Sequence, residues 1–293
     1  MVASWFETRE DALLTMRVEL TPNGWVDDMI DSLNRIAAMT ARYYYILRSS
    51  WLRLLEIIYW PAMQMLVWGF LYTYLYNSKS TMADTAALLL GAVLLWDVLF
   101  RGQLGFTFTF LEEIWSRNLA NLMMSPLKPA ELAASLMLMS LIRLLIGTIP
   151  VTLLTLVLFG FNIYALGPGL ILMFINLVLT SWAIGLVIAG LVIRQGLGAE
   201  SLAFSVMIIL LPLCCVYYPL EALPAWLQPV AWSLAPTYVF EGMRATLLDG
   251  VFRADLLIEG FSLNLLYLAL GFTAFIFLMD SARHRGGLLT MGE

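Results

Sequence analysis

Apolar residues run along this chain in continuous blocks at 56–76, 86–110, 131–160, 169–193, 201–218 and 258–280. An α-helix needs about 20 such residues to cross the hydrocarbon core of a bilayer, so most of these blocks are long enough to span. None shows the alternation of a membrane β-barrel strand, which leaves helices as the spanning structure. The pattern predicts an all-α integral membrane protein of six transmembrane helices in one membrane domain, residues 54–282.

Three stretches break the apolar rhythm. Ahead of the first block, Val26, Met29, Ile30, Leu33, Ile36, Ala37, Tyr44 and Leu47 recur at helical spacing opposite Asp27, Asp31, Asn34, Arg35, Arg42 and Arg48. This predicts an amphipathic helix over 25–53, lying in the membrane interface or packed on a partner. Between the second and third blocks lies EEIWSRNLANLMMSPLKP, residues 112–129. It reads as a polar-edged helix over about 112–127, stopped by Ser125-Pro126 and Lys128-Pro129. Before the last block, 219–254 is apolar but carries Pro219, Pro224, Pro229 and Pro236. Proline removes a backbone donor, so short helices dipping into the membrane fit this stretch better than a further crossing.

Composition agrees with the pattern: 61% of residues are hydrophobic and 13% charged, against roughly 25% charged in a soluble domain. The net charge of −5 says little by itself, because in a membrane protein the placement of Lys and Arg matters more than their sum. With the N-terminus inside, Arg9, Arg17, Arg35, Arg42, Arg48, Arg53, Arg117, Lys128, Arg194, Arg283 and Arg285 fall on the cytoplasmic side. Lys79, Arg244 and Arg253 fall outside, and the eleven-to-three bias predicts cytoplasmic tails at 1–24 and 283–293. The first residues are acidic and lack the apolar core of a signal peptide. Cys214 and Cys215 are adjacent inside an apolar run and read as packing residues, since neighbours rarely meet disulfide geometry.

An interfacial helix, six spans, a polar helix between the second and third, and a proline-broken outer stretch together resemble the permease subunit of type-2 ATP-binding-cassette (ABC-2) exporters. NLANLMMSPLKPAE (118–131) and PLEALPAWLQPVAWSLAPTYVFEGMR (219–244) carry the likeness. The resemblance implies that the first is a coupling helix, with Glu112, Glu113, Trp115, Arg117, Asn118, Leu119 and Met123 meeting a separate ATPase subunit. On physical grounds Ile114, Trp115, Leu119, Leu122 and Met123 are the apolar anchors of such a docking helix. The family commonly has Asn-Pro before a Thr-Tyr pair, where this chain has Ala235-Pro236-Thr237-Tyr238. It further implies a pair of permeases, a second copy of this chain or a similar one, in a bacterial inner (plasma) membrane and among its lipids, with no nucleic acid involved.

The chain has only two lysines, Lys79 and Lys128, and neither follows a Gly-rich turn, so no Walker A loop is present. ATP and Mg are therefore expected on the partner, with no cofactor in this chain. The single histidine, His284, lies in the tail, which leaves no intramembrane zinc site or Ser-His pair. Intramembrane charges raise a rival, an ion-coupled secondary transporter or channel built on Asp97, Arg101 and Arg143. Asp97 lies 14 residues beyond Leu111 and Arg143 lies 12 beyond Glu131, a depth difference of about 3 Å, so Asp97 is expected against Arg143. Glu241 and Arg244 read as a surface ion pair of the outer stretch, with Glu221 nearby. Aromatic and methionine-rich spans can accept many amphipathic molecules, and the resemblance leaves open drugs, lipids, lipid-linked glycans and polysaccharides. The proline-broken outer stretch and the absence of a long aromatic-lined channel pattern incline the expectation toward a small amphipathic compound or lipid.

Overall fold

The computed structural model describes residues 24–78, 80–196, 198 and 200–284, and the expected tails lie almost wholly outside them. The described residues form helices and turns without strands. In chain order the helices are α1 (Gly24–Arg48), α2 (Trp51–Ser78), α3 (Ser80–Trp115), α4 (Leu119–Met124), α5 (Pro129–Phe159), α6 (Pro168–Gln195), α7 (Glu200–Leu213), α8 (Gln228–Trp232), α9 (Ala235–Arg244) and α10 (Ala254–His284).

Among the described residues five helices, α2, α3, α5, α6 and α10, are long and apolar enough to cross a membrane. The run at 201–218 differs from expectation: its helix α7 has 14 residues, about 21 Å, and stops at Leu213. Pro212 removes a backbone donor there, and Cys215 takes a φ of 53°, which no helix continues through.

Helices α3 and α6 form the centre of the bundle. Two-thirds of the apolar window of α3 and over half of that of α6 is buried, against 17% for α2 and α10. Small residues let the backbones close: a Cβ added at Gly271 of α10 would lie 2.8 Å from Ala183 O of α6. Beside it, Asn264 donates to Asn176 O and Oδ1 at 3.0 Å and accepts from Thr180 Oγ1 at 2.6 Å, a satisfied polar tie between α10 and α6. Trp182 Nε1 donates to Ser140 Oγ at 2.8 Å and joins α6 to α5.

The core has two halves. One, at the end of the bundle that carries α4, packs Phe106, Phe110, Leu136, Leu186 and Phe275 with Tyr43 and Leu47 of α1. The other packs Leu95, Leu99, Met173, Phe240 and Met243 at the far end, beneath the proline-broken stretch. That stretch folds as α8, α9, a turn at Leu220–Ala222 and a π turn at Ala245–Asp249 closed by Gly250 at φ 67°. Short helices replace a crossing, as the prolines required.

Candidate functional site

The segment joining α3 to α5 is not one helix over 112–127. α3 runs through Glu112, Glu113 and Trp115, the chain breaks at Ser116–Asn118, and α4 is a separate helix of six residues. The break is made at Arg117, whose φ of 53° lies in the left-handed region that a continuing helix excludes. Pro126 and Pro129 then set the entry to α5, with Pro129 at its first position, where the missing N–H costs nothing.

Three carboxylates hold this connector in place, and all three face inward or sideways. Glu113, 2% exposed, accepts from Arg42 Nη1 at 2.5 Å and Nη2 at 3.3 Å, and from Asn118 Nδ2 at 2.8 Å. Glu131, 3% exposed, accepts from Arg35 Nε at 2.9 Å and Nη2 at 2.7 Å, from Ser32 Oγ at 2.8 Å and from the Lys128 backbone at 2.9 Å. Glu112 takes Arg143 Nη2 on both oxygens at 2.9 Å, and Arg53 approaches it at 3.7 Å. Such charge-assisted and bidentate bonds are the stronger class of hydrogen bond.

The arginines respond to these partners. The hydrogen bond to Glu131 raises the Arg35 pKa above its ordinary value. Burial lowers that of Arg42, yet the Glu113 bond and charge outweigh it and the net direction is upward. Burial, with the Glu113 charge adding, pushes the Tyr43 phenol far above the usual tyrosine range, so it stays neutral under the Arg42 guanidinium.

These contacts revise several expectations for the docking helix. Glu113 is an internal counterion, so its charge is not available to a partner. Ile114 and Leu119 are each 4% exposed and belong to the permease's own core with Tyr43 and Leu47. Trp115 at 49% and Met124 at 79% exposure carry the outward apolar surface, flanked by exposed Arg117, Asn121, Pro126 and Lys128. Asn118 is half-buried against Glu113, and the Met123 side chain lies outside the described residues.

The amphipathic helix α1 ends at Arg48, and it turns two residues of its polar face toward the protein. Arg35 and Arg42 face the protein with Tyr43 and Leu47, while Met29, Ile30, Leu33 and Tyr44 are exposed. The periodicity sets both arginines on the polar side of α1, opposite its apolar positions. Their spacing of seven residues, opposite glutamates on both flanks of the connector, was the available signal.

Asp97 and Arg143 do not meet. Asp97 Oδ2 accepts from Arg101 Nε at 2.6 Å, whereas Arg143 is held by Glu112. The register explains this: a Cβ on Gly105 would touch Ser140 Cα and O at 3.5 Å, so Arg143 lies level with Gly102, about 8 Å below Asp97. Side chains lean toward the N-terminus of their own helix, and α3 and α5 are antiparallel. Arg101 therefore reaches toward Asp97 and Arg143 toward Glu112. Asp97, Arg101 and Arg143 are thus each closed on a local partner and do not form one cluster.

At the far end, Glu241 and Arg244 are paired at 2.8 Å, but Arg244 is buried rather than on the surface. Glu241 Oε1 also accepts from Leu220 N at 2.8 Å, and Arg244 Nη1 donates to Val216 O at 3.4 Å. The pair ties the turn after α7 to α9. Glu221 is exposed.

Comparison with protein families gives a match to the ABC-2 type transporter model over residues 40–248, which takes in α2 to α9 and the C-terminal third of α1. Comparison with curated proteins gives no match. Permeases of this family work in general with an ABC ATPase subunit. The long apolar helices, the helical connector and the family match over most of its length make this chain a multi-pass membrane permease belonging to the ABC-2 type transporter family.

Proposed function

We propose that this permease exports an amphipathic or lipid-like compound, driven by ATP that a separate nucleotide-binding subunit hydrolyses. One observation carries the reading: the connector offers Trp115 and Met124 outward while buried ion pairs fix the backbone beneath them. Exposed large apolar residues on a rigid frame, rimmed by polar ones, suit a docking contact. The connector end is then cytoplasmic, as the Arg and Lys bias favours, and the protein lies in the plasma membrane with both termini inside. A sixth crossing would be completed by α7 and the non-helical turn that follows it.

ATP and Mg belong to the partner in this scheme. ATP binding draws two ATPase subunits together, the connectors shift with them, and the spans of two permeases reopen toward the outside. A pathway shared between two copies, or between this chain and a similar permease, is the arrangement that the likeness to ABC-2 exporters implies. Methionine and aromatic side chains on the spans suit a compound with a large apolar part.

The test is affinity purification in mild detergent, with identification of what accompanies the chain and an ATPase assay. A stoichiometric ATPase is expected, and W115E/M124E should reduce its recovery at least tenfold while leaving the permease folded. An intact chain that purifies without any ATPase in several detergents would overturn the reading.

A further inference from the structure

The connector is tied at both ends to the same helix. Glu113 precedes it and Glu131 follows it, and the two carboxylates are held by Arg42 and Arg35 of α1. Those arginines are seven residues apart, two helical turns or about 10 Å, so α1 bridges the mouth of the loop. α4 has few anchors of its own: six residues, with Leu119 buried and Leu122 partly so.

Both carboxylates are almost fully buried, and a buried charge that loses its partner is strongly destabilising. The rungs therefore act as a lock, either closed or broken at high cost, rather than as adjustable surface contacts. The Arg35–Glu131 rung is reinforced by Ser32 and by the Lys128 backbone, the Arg42–Glu113 rung by Asn118. A third tie, Arg53 and Arg143 on Glu112, lies where α2 begins beyond the Ser49–Ser50 break.

We propose that α1 is a strap locked across the connector, so that α1 and α4 move as one lever and force on Trp115 and Met124 passes through Arg35 and Arg42 into α1 and on to α2. Arg35, Arg42, Glu113 and Glu131 are positioning residues for coupling; none of them touches the ATPase. The assignment rests on the ATPase-driven reading for the source of the force, while the lock itself belongs to the permease alone.

The first measurement uses the permease alone in lipid nanodiscs, by hydrogen–deuterium exchange. R35Q/R42Q should raise exchange at least tenfold in both 28–48 and 116–127 and leave α6 and α10 unchanged, the latter confirming the fold. The swap R42E/E113R should return both segments toward the wild-type rate. Unchanged exchange in 116–127 overturns the strap.

The second uses the complex with its ATPase. R35C/E131C should lose at least tenfold in turnover, with the ATPase still bound, and a short bifunctional thiol linker across the two cysteines should restore it to within twofold. Turnover blocked by the linker means that α1 and the connector move against each other, which overturns the lever. Absence of any ATPase would sink the exporter reading instead and leave the exchange result standing.

Discussion

Arg101 and Arg143 start from nearly the same level of the bundle and end on different carboxylates, because each leans toward the N-terminus of its own helix and the helices are antiparallel. Counting residues placed Asp97 and Arg143 at similar depth but ignored that lean, and the Gly105–Ser140 contact shows the true offset. The swap E112R/R143E should therefore keep a monodisperse peak in size-exclusion chromatography, whereas D97R/R143D should not. Rescue by the second swap and not the first would contradict the pairing. Glu113 gives a further outcome at this scale. E113Q leaves half-exposed Arg42 without its counterion, and a loss of about 1–3 kcal/mol is expected, read as a lower unfolding midpoint. Burial of a charge depends on which side of α1 turns inward, and a periodicity count does not register two arginines turned toward glutamates far along the chain.

At the scale of elements, the α6–α10 seam sets the fold's tolerance. Gly271 approaches the Ala183 carbonyl so closely that even a methyl group forces a shift, and G271A should cost about 1–3 kcal/mol. N264L removes the polar tie to Asn176 and Thr180 and should cost about 0.5–2 kcal/mol, the range for interhelical hydrogen bonds in membranes. Thermal unfolding in detergent checks both, and two unchanged midpoints would mean that the seam is not tight. The long helices were legible because a run of about 20 or more apolar residues has no other stable form in a bilayer. The breaks were less so. α7 stops early because Pro212 is followed by a left-handed Cys215, and the connector divides at a left-handed Arg117; neither residue type announces a positive φ. The four prolines of the far stretch were explicit signals, and short helices are what they produced.

For the whole molecule, the claim is that this ABC-2 permease is moved from its connector by a separate ATPase. Family membership was readable from the order of spans and interruptions, since each interruption had a physical cost that only a specific use offsets. The outward face of the connector was not, because Ile114 and Leu119 look like docking anchors in sequence and are spent on the chain's own core. The exposed pair, Trp115 and Met124, is the place to look for the motor. The most direct measurement is photo-crosslinking in the native host from benzoylphenylalanine at Met124, with exposed Ile258 of α10 as control. A single protein adduct at Met124, carrying a Walker A loop and absent from Ile258, is the predicted result. Adducts at Met124 that are confined to lipid, or that are the same as those from Ile258, would contradict the account.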